Sequence, residues 1–463
     1  MKTILTSVIL LFFIAAQAQQ GYDIKVHIEG LTDSVAYLGY YYGDKQYVKD
    51  TSRVTNGSVV FQGKDSLDQG LYFFYGPESS AFFDVAMGAD QHFSISTNTS
   101  DYVKNMVVDG SEENKLLQEY KVTLAENQQK ANQLREQIEA NKEDQAKSEE
   151  LKSQMMSINE KVVAFQQDFV KTHPESMVAV LINITQTPEV PEGLDQTKKF
   201  YYYRDHFFDK VDFSDPRILR TPVFHPKLIE FVEKMTMQQP DSIAKAASSV
   251  VEKAKANDQV FRYAVITYTS KYESSEIMGM DAVFVDLAEK YYISGLATWA
   301  DSTVLANITE KVVKTKPNLI GKTIKPMVLY DTLMRPARIP SGQSKYTVLY
   351  FFSPDCGHCK KSTPKLKELL PQIKAQGAEV IGVCTMIEMD KFKEFLQEYE
   401  PNWKNYADLQ YQRKPFNVET TPMVYVLDKN NKIIAKRIDL EKIEGFLEHQ
   451  NKMSTPDNSL GRK

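Results

Sequence analysis

Between Gly21 and Asp109, apolar and polar residues alternate with the period of a strand, Tyr22, Ile24, Val26 and Ile28 falling on one face. In Val54-Thr55-Asn56-Gly57-Ser58-Val59-Val60-Phe61 an Asn-Gly pair separates two strand-like runs, which predicts a tight hairpin. Further β-rich runs follow at Leu71–Tyr75, Phe82–Val85 and Phe93–Ile95, and their spacing predicts a sandwich or open barrel. The aromatics Tyr37, Tyr40, Tyr41, Tyr42, Tyr47, Phe73 and Phe74 are read as core and cross-strand pairs before a binding surface is invoked.

The period changes at Ser111, an N-cap residue followed by Glu112 and Glu113 at the positive end of a helix. Leu117, Leu124, Ala131 and Ile138 recur every seven residues, with Tyr120 and Leu134 between them. After a polar stretch at 141–148, Leu151, Met155, Ile158, Val162, Phe165 and Phe169 are alternately four and three apart. Two single-stripe helices in succession predict an antiparallel hairpin over 111–172, with self-association through it as a further expectation. Pro174-Glu175 is read as opening another helix through Met177–Ile182. Helical patterns then run near 226–237, 241–255, 259–272, 280–292 and 302–315, and the cluster Phe200-Tyr201-Tyr202-Tyr203 with His206, Phe207 and Phe208 is expected to pack helices together.

From Lys345 strands and helices alternate. Thr347–Phe352 is a continuous apolar run, as in a strand buried on both faces. Ser353-Pro354-Asp355 breaks it, and a helix to about Gln376 follows. A second buried strand (Ala378–Cys384), a helix (Lys391–Tyr399), strands at Met423–Leu427 and Ile433–Lys436 around the turn 428–431, and a helix (Asp439–Gln450) complete the unit. The expected architecture is multidomain α+β: a leader at 1–18, an all-β sandwich-like domain at 19–110, a helical middle region at 111–318, an α/β domain at 319–450, and a disordered tail at 451–463.

Composition narrows the function. In 463 residues, 56 Lys and Arg face 61 Asp and Glu, a formal charge of −5, so neither a nucleic-acid footprint nor a polybasic membrane patch is present. Three cysteines exclude a disulfide-stapled scaffold and a four-cysteine metal site. His173, His206 and His225 lack metal-ligand spacing, His27, His92 and His449 are isolated, and no metal or cofactor is expected. Met1-Lys2-Thr3, an apolar run from Ile4 to Ala16 and the small-x-small Ala16-Gln17-Ala18 read as a secretory leader. That run of about 13 residues falls short of the ~20 needed to span a bilayer, so the expectation is a chain beginning near Gln19, without a membrane span, in the periplasm or cell envelope. Disulfide chemistry persists in such compartments.

The chemistry lies in Cys356-Gly357-His358-Cys359, placed at a strand-to-helix junction within a βαβ unit, a redox arrangement. A cysteine at a helix N-terminus is held as thiolate by unpaired amides and the helix dipole. Cys356 is therefore the expected nucleophile, and Cys359, one turn on, the resolving thiol. His358 adds an imidazole beside the thiolate, an influence that stabilises the reduced form.

The strand Leu349–Phe352, the segment Ser353–Lys361, the helix proline Pro364 and Thr420-Thr421-Pro422 together resemble the thioredoxin fold, and are most similar to its secreted TlpA/ResA-like branch. Ile320-Gly321-Lys322 with Pro326 resembles the start of that branch's domain. The resemblance covers about 130 residues, close to the size of one domain. It implies a thiol–disulfide oxidoreductase acting on protein clients and served by a redox partner protein. It also implies a cis Thr421–Pro422 turn facing the cysteines, with Gly357, His358, Thr421 and Pro422 as supporting residues.

Cys-Gly-His-Cys is also the pair of protein disulfide isomerases, poised near −180 mV against about −270 mV for thioredoxin, a gap of roughly 4 kcal/mol. Electron direction therefore stays open between reduction and an isomerase or oxidase role. A thiol peroxidase, or a non-enzymatic envelope binding protein, is also compatible with the sequence. The chain departs from the family's pattern at three places: Tyr350 replaces a buried strand acid, Ser362 a helix glutamate, and Asp355 the tryptophan before the first cysteine. No proton acceptor for Cys359 is legible, and Asp355 is expected to counter the thiolate while Lys360 and Lys361 favour it. Cys384, ending a strand, reads as a small buried core residue, and less readily as a second resolving thiol or a zinc ligand.

Overall fold

A computed structural model describes residues 21–454, which form two compact units: 21–231 with 255–260, and 232–254 with 261–454. The expected leader lies outside the described residues. Among the described residues, no helix is long and apolar enough to cross a membrane.

The first unit begins with eight strands: β1 (Tyr22–Glu29), β2 (Val35–Tyr42), β3 (Lys45–Arg53), β4 (Ser58–Gly63), β5 (Gly70–Gly76), β6 (Ala81–Met87), β7 (His92–Asn98) and β8 (Val107–Asp109). They make two four-stranded sheets, ordered β4-β1-β7-β8 and β3-β2-β5-β6. Ile24, Val26, Phe61 and Ile95 of one sheet pack with Leu38, Phe74 and Val85 of the other, the expected sandwich. The Asn-Gly turn exists, with positive φ at both Asn56 and Gly57. It does not close a hairpin within one sheet. β3 pairs with β2 and β4 with β1, so beyond the Thr55–Ser58 bridge the chain crosses between layers. The turn follows from its two residues alone, whereas strand partnership is decided by core burial.

Helices α1 (Glu112–Ala140) and α2 (Gln145–Thr172) form the expected hairpin, capped by Ser111 and Asp144. Asn114 ties α1 to the sheet by exchanging two 2.8 Å hydrogen bonds with the Ala86 backbone. The helix expected from Pro174 starts later: Ser176 caps α3 (Met177–Thr185), and Pro174-Glu175 forms the preceding turn. The aromatic cluster divides. Phe207 and Phe208 are buried and meet Phe231, whereas α4 (Gln196–Asp205) buries no residue and leaves Phe200 and Tyr201 exposed. Helix α5 (Phe224–Glu233) follows.

The second unit joins helices to an α/β domain. Helix α6 (Pro240–Ala254), most of α7 (Asp258–Glu273), α8 (Asp281–Leu287) with a π-turn through Ile293, and α9 (Ser302–Thr315) precede the sheet. Strands β9 (Met327–Tyr330), β10 (Pro336–Ile339), β11 (Tyr346–Phe352), β12 (Ala378–Cys384), β13 (Lys404–Ala407), β14 (Met423–Asp428) and β15 (Ile433–Lys436) are ordered β10-β9-β13-β12-β11-β14-β15. The central β11 is parallel to β12 and antiparallel to β14. Its residues alternate between two cores: Val348, Tyr350 and Phe352 face Leu366, Phe392 and Leu447, while Leu349 and Phe351 face Ile381, Phe416 and Tyr425.

Helices α10 (Gly357–Ala375), α11 (Met389–Tyr399) and α12 (Ile443–Ser454) cover the first of those cores. The tail expected from 451 is ordered to Ser454, because Asn451 donates to the Gln376 carbonyl (3.2 Å) and accepts from the Tyr346 hydroxyl (3.2 Å).

Candidate active site

The reactive segment lies where β11 ends. Ser353-Pro354-Asp355 turns the chain, the Cys356 amide donates to the Ser353 carbonyl (3.1 Å), and Cys356 becomes the N-cap of α10 in an extended conformation. A cap position leaves the first-turn amides without helical acceptors, at the positive end of the helix where Cys356 stands. Partial burial opposes ionisation of this thiol. Hydrogen bonding from the Thr421 side chain, from the amides of Cys359 and His358 and from the Cys359 thiol outweighs it, and Cys356 titrates below the ordinary thiol value. Its S–H also reaches the Thr421 carbonyl at 3.1 Å, a contact that favours the protonated form without reversing that direction.

Cys359 is buried, and burial pushes its thiol up to about 11, although the Ser353 amide donates to its sulfur at 3.5 Å. One thiol is half-buried and poised to ionise; its neighbour one turn on is buried and protonated. An asymmetric pair of this kind divides attack from resolution. All three cysteines are free thiols here. Cys384, at the end of β12, is fully buried and pushed up to about 12 by burial. It packs in the same core as Cys359, as the reading of a small core residue expects.

The remaining expected residues gather here. Gly357 and His358 are exposed in the first turn, and a Cβ built on Gly357 would meet nothing within 4 Å. The Thr421–Pro422 peptide is cis and half-buried beside Cys356. Lys360 and Lys361 are exposed on α10. Asp355 is ion-paired instead with Lys391 of α11, at 2.6 Å, a partner with no local signal because it lies 36 residues away. Neutralised in this way, Asp355 opposes the thiolate less than its bare charge implies.

Where an acid was expected, Tyr350 is fully buried and shares a 3.0 Å hydrogen bond with Thr363, its hydroxyl also reaching the Cys359 carbonyl at 3.4 Å. The position thus braces the first turns of α10. Among the described residues no group of three or more His, Cys, Asp or Glu is placed to hold a metal ion.

Residues 343–433 match the thioredoxin-like family, while 22–117 and 134–316 match two domains of unknown function, DUF4369 and DUF5106. The α/β unit is a thioredoxin-like domain, and the curated relatives it matches are thiol-disulfide oxidoreductases. Among its relatives, the thiol-disulfide oxidoreductase ResA of Geobacillus kaustophilus is 28% identical over 133 residues, covering 28% of this chain and 76% of that protein. The ResA of Geobacillus thermodenitrificans is 28% identical over 151 residues, covering 32% and 84%. Of solved structures, a domain of a possible thiol-disulfide isomerase from Cytophaga hutchinsonii is 32% identical, covering 29% of this chain and 95% of that one at a TM-score of 0.28. A thioredoxin-like protein from Bacteroides caccae is 16% identical, covering 57% and 98% at 0.47.

Proposed function

We propose that this chain exchanges disulfides with protein clients in the cell envelope, through Cys356 as nucleophile and Cys359 as resolving thiol, and so maintains thiol–disulfide balance there. The Cys356 thiolate attacks one sulfur of a client disulfide; a new S–S bond forms, the client bond breaks, and the other client sulfur leaves as thiolate. Cys359 then gives up its proton and attacks Cys356, which releases the second client sulfur. The first leaving thiolate, itself a base, takes that proton, so no protein carboxylate is required at Tyr350. Two electrons pass from the protein dithiol to the client, and the reverse sequence oxidises a client dithiol. A dithiol or disulfide partner protein resets the pair.

The observation that carries this reading is the contrast between the lowered Cys356 thiol at the helix N-terminus and the buried Cys359 beside it. The leader-like N-terminus supports placement outside the cytoplasm. The test is catalysis of insulin disulfide reduction by excess dithiol, together with the reduction potential of the pair in glutathione buffers. Catalysis lost in Cys356→Ser supports the reading, and turnover retained in that variant overturns it. A potential near thioredoxin's assigns reduction, and one near the isomerases' assigns oxidation or isomerisation.

A further inference from the structure

A groove of about 1030 Å³ opens beside the cis-proline turn, within the second unit. Thr420 and Pro422 line one side, flanking the Thr421 whose carbonyl meets Cys356. Also lining the groove, from outside the α/β domain, are Ile277 and Met278, in the connection between α7 and α8. Ile277 is 67% exposed and Met278 38%, an apolar pair held in water. Of the charged residues around the groove, Lys365 pairs with Glu441 and Lys442 with Asp439, and Glu276, Glu419 and Arg437 line it as well; the exposed apolar contact is offered by Ile277 and Met278.

That connection is anchored. Lys436 at the end of β15 is buried, and its ammonium donates to the Asp281 carboxylate, to the Asn318 carbonyl (2.8 Å) and to the Asn318 side-chain oxygen (2.8 Å). Its three protons therefore meet three acceptors from the helical segments, and Asp281 lies three residues beyond Met278. A buried ammonium satisfied in this way fixes the start of α8 against the sheet, and with it the preceding loop.

We infer that Ile277 and Met278 select clients: they receive an apolar side chain from the extended segment adjoining the client's reactive cysteine. The inference rests on the exchange reaction proposed above. A client joined to Cys356 by a disulfide has its backbone at the Thr421–Pro422 turn, and each further residue of an extended chain advances it about 3.3 Å along the adjoining groove. The occupant is thus the polypeptide being exchanged, and the helical region contributes its specificity.

The experiment uses the full chain and peptides joined by mixed disulfide to a reporter thiol, with leucine, serine or aspartate near the cysteine. Wild type is expected to prefer the leucine peptide over the aspartate peptide by about tenfold in kcat/KM, and Ile277→Asp and Met278→Asp to erase that preference. Equal rates for all peptides in wild type, or an unchanged preference in both folded variants, overturn the inference. No exchange with any peptide or with oxidised glutathione overturns the functional reading beneath it instead.

Discussion

The sulfur of Cys356 lies 3.1 Å from the carbonyl oxygen of Thr421, 65 residues further along the chain. This contact joins the N-terminus of α10 to the turn that leads into β14, and the intervening strand β12 and helix α11 build the sheet and core around it. The Cys356 sulfur and the Thr421 backbone are therefore one site assembled from two segments far apart in the chain.

The two thiols should separate by pH. Cys356 is held below the ordinary thiol value, so its thiolate survives to lower pH, and its alkylation by iodoacetamide is expected to reach half-maximum below pH 9.0. Cys359, pushed up to about 11, should react only in strongly alkaline solution or after unfolding. Peptide mapping after timed alkylation checks both, and equal reactivity of the two at neutral pH contradicts the assignment.

Removing the partner of Asp355 should raise the Cys356 titration. In Lys391→Ala a carboxylate next in sequence to the sulfur loses its counter-charge, and an unpaired negative charge disfavours a second one nearby. The same pH-dependent alkylation reads the upward shift. Because the pair is exposed, the difference should shrink as salt shortens the screening length to about 10 Å at 0.1 M.

Tyr350→Phe deletes a buried hydroxyl and leaves Thr363 without that partner. The expected cost is about 1–3 kcal/mol of stability, measured by urea denaturation with the pair reduced. A variant as stable as wild type contradicts the bracing role assigned to this tyrosine.

Gly382 pairs with Tyr350 across the sheet, and a Cβ there would lie 2.0 Å from Asn405 Oδ1. Gly382→Ala must therefore displace Asn405 or spread the strands, and a loss of about 1–3 kcal/mol is expected from the same denaturation experiment.

Much of the fold and site is legible in the sequence because strong local signals coincide with global structure in the α/β domain. Thr347–Phe352 is apolar throughout because β11 is buried on both faces, and Cys-x-x-Cys marks the junction with α10 because a helix must start there. The helical hairpin announces itself by its seven-residue spacing. Strands β9, β10 and β13, each four residues long, escape notice, whereas β15, equally short, is marked by the turn residues 428–431 that join it to β14. The partners of Asp355 and Lys436 are equally hidden, lying 36 and 155 residues away, distances no local pattern spans. Asn56-Gly57 shows the complementary limit, a turn evident from its residues whose flanking strands join different sheets.

The most direct test of the central claim is to incubate the reduced Cys359→Ser chain with oxidised glutathione at neutral pH and locate the adduct by mass spectrometry. Glutathione on Cys356, stable because the resolving thiol is gone, is the predicted result. An unmodified Cys356, or an adduct on Cys384 in its place, contradicts the account.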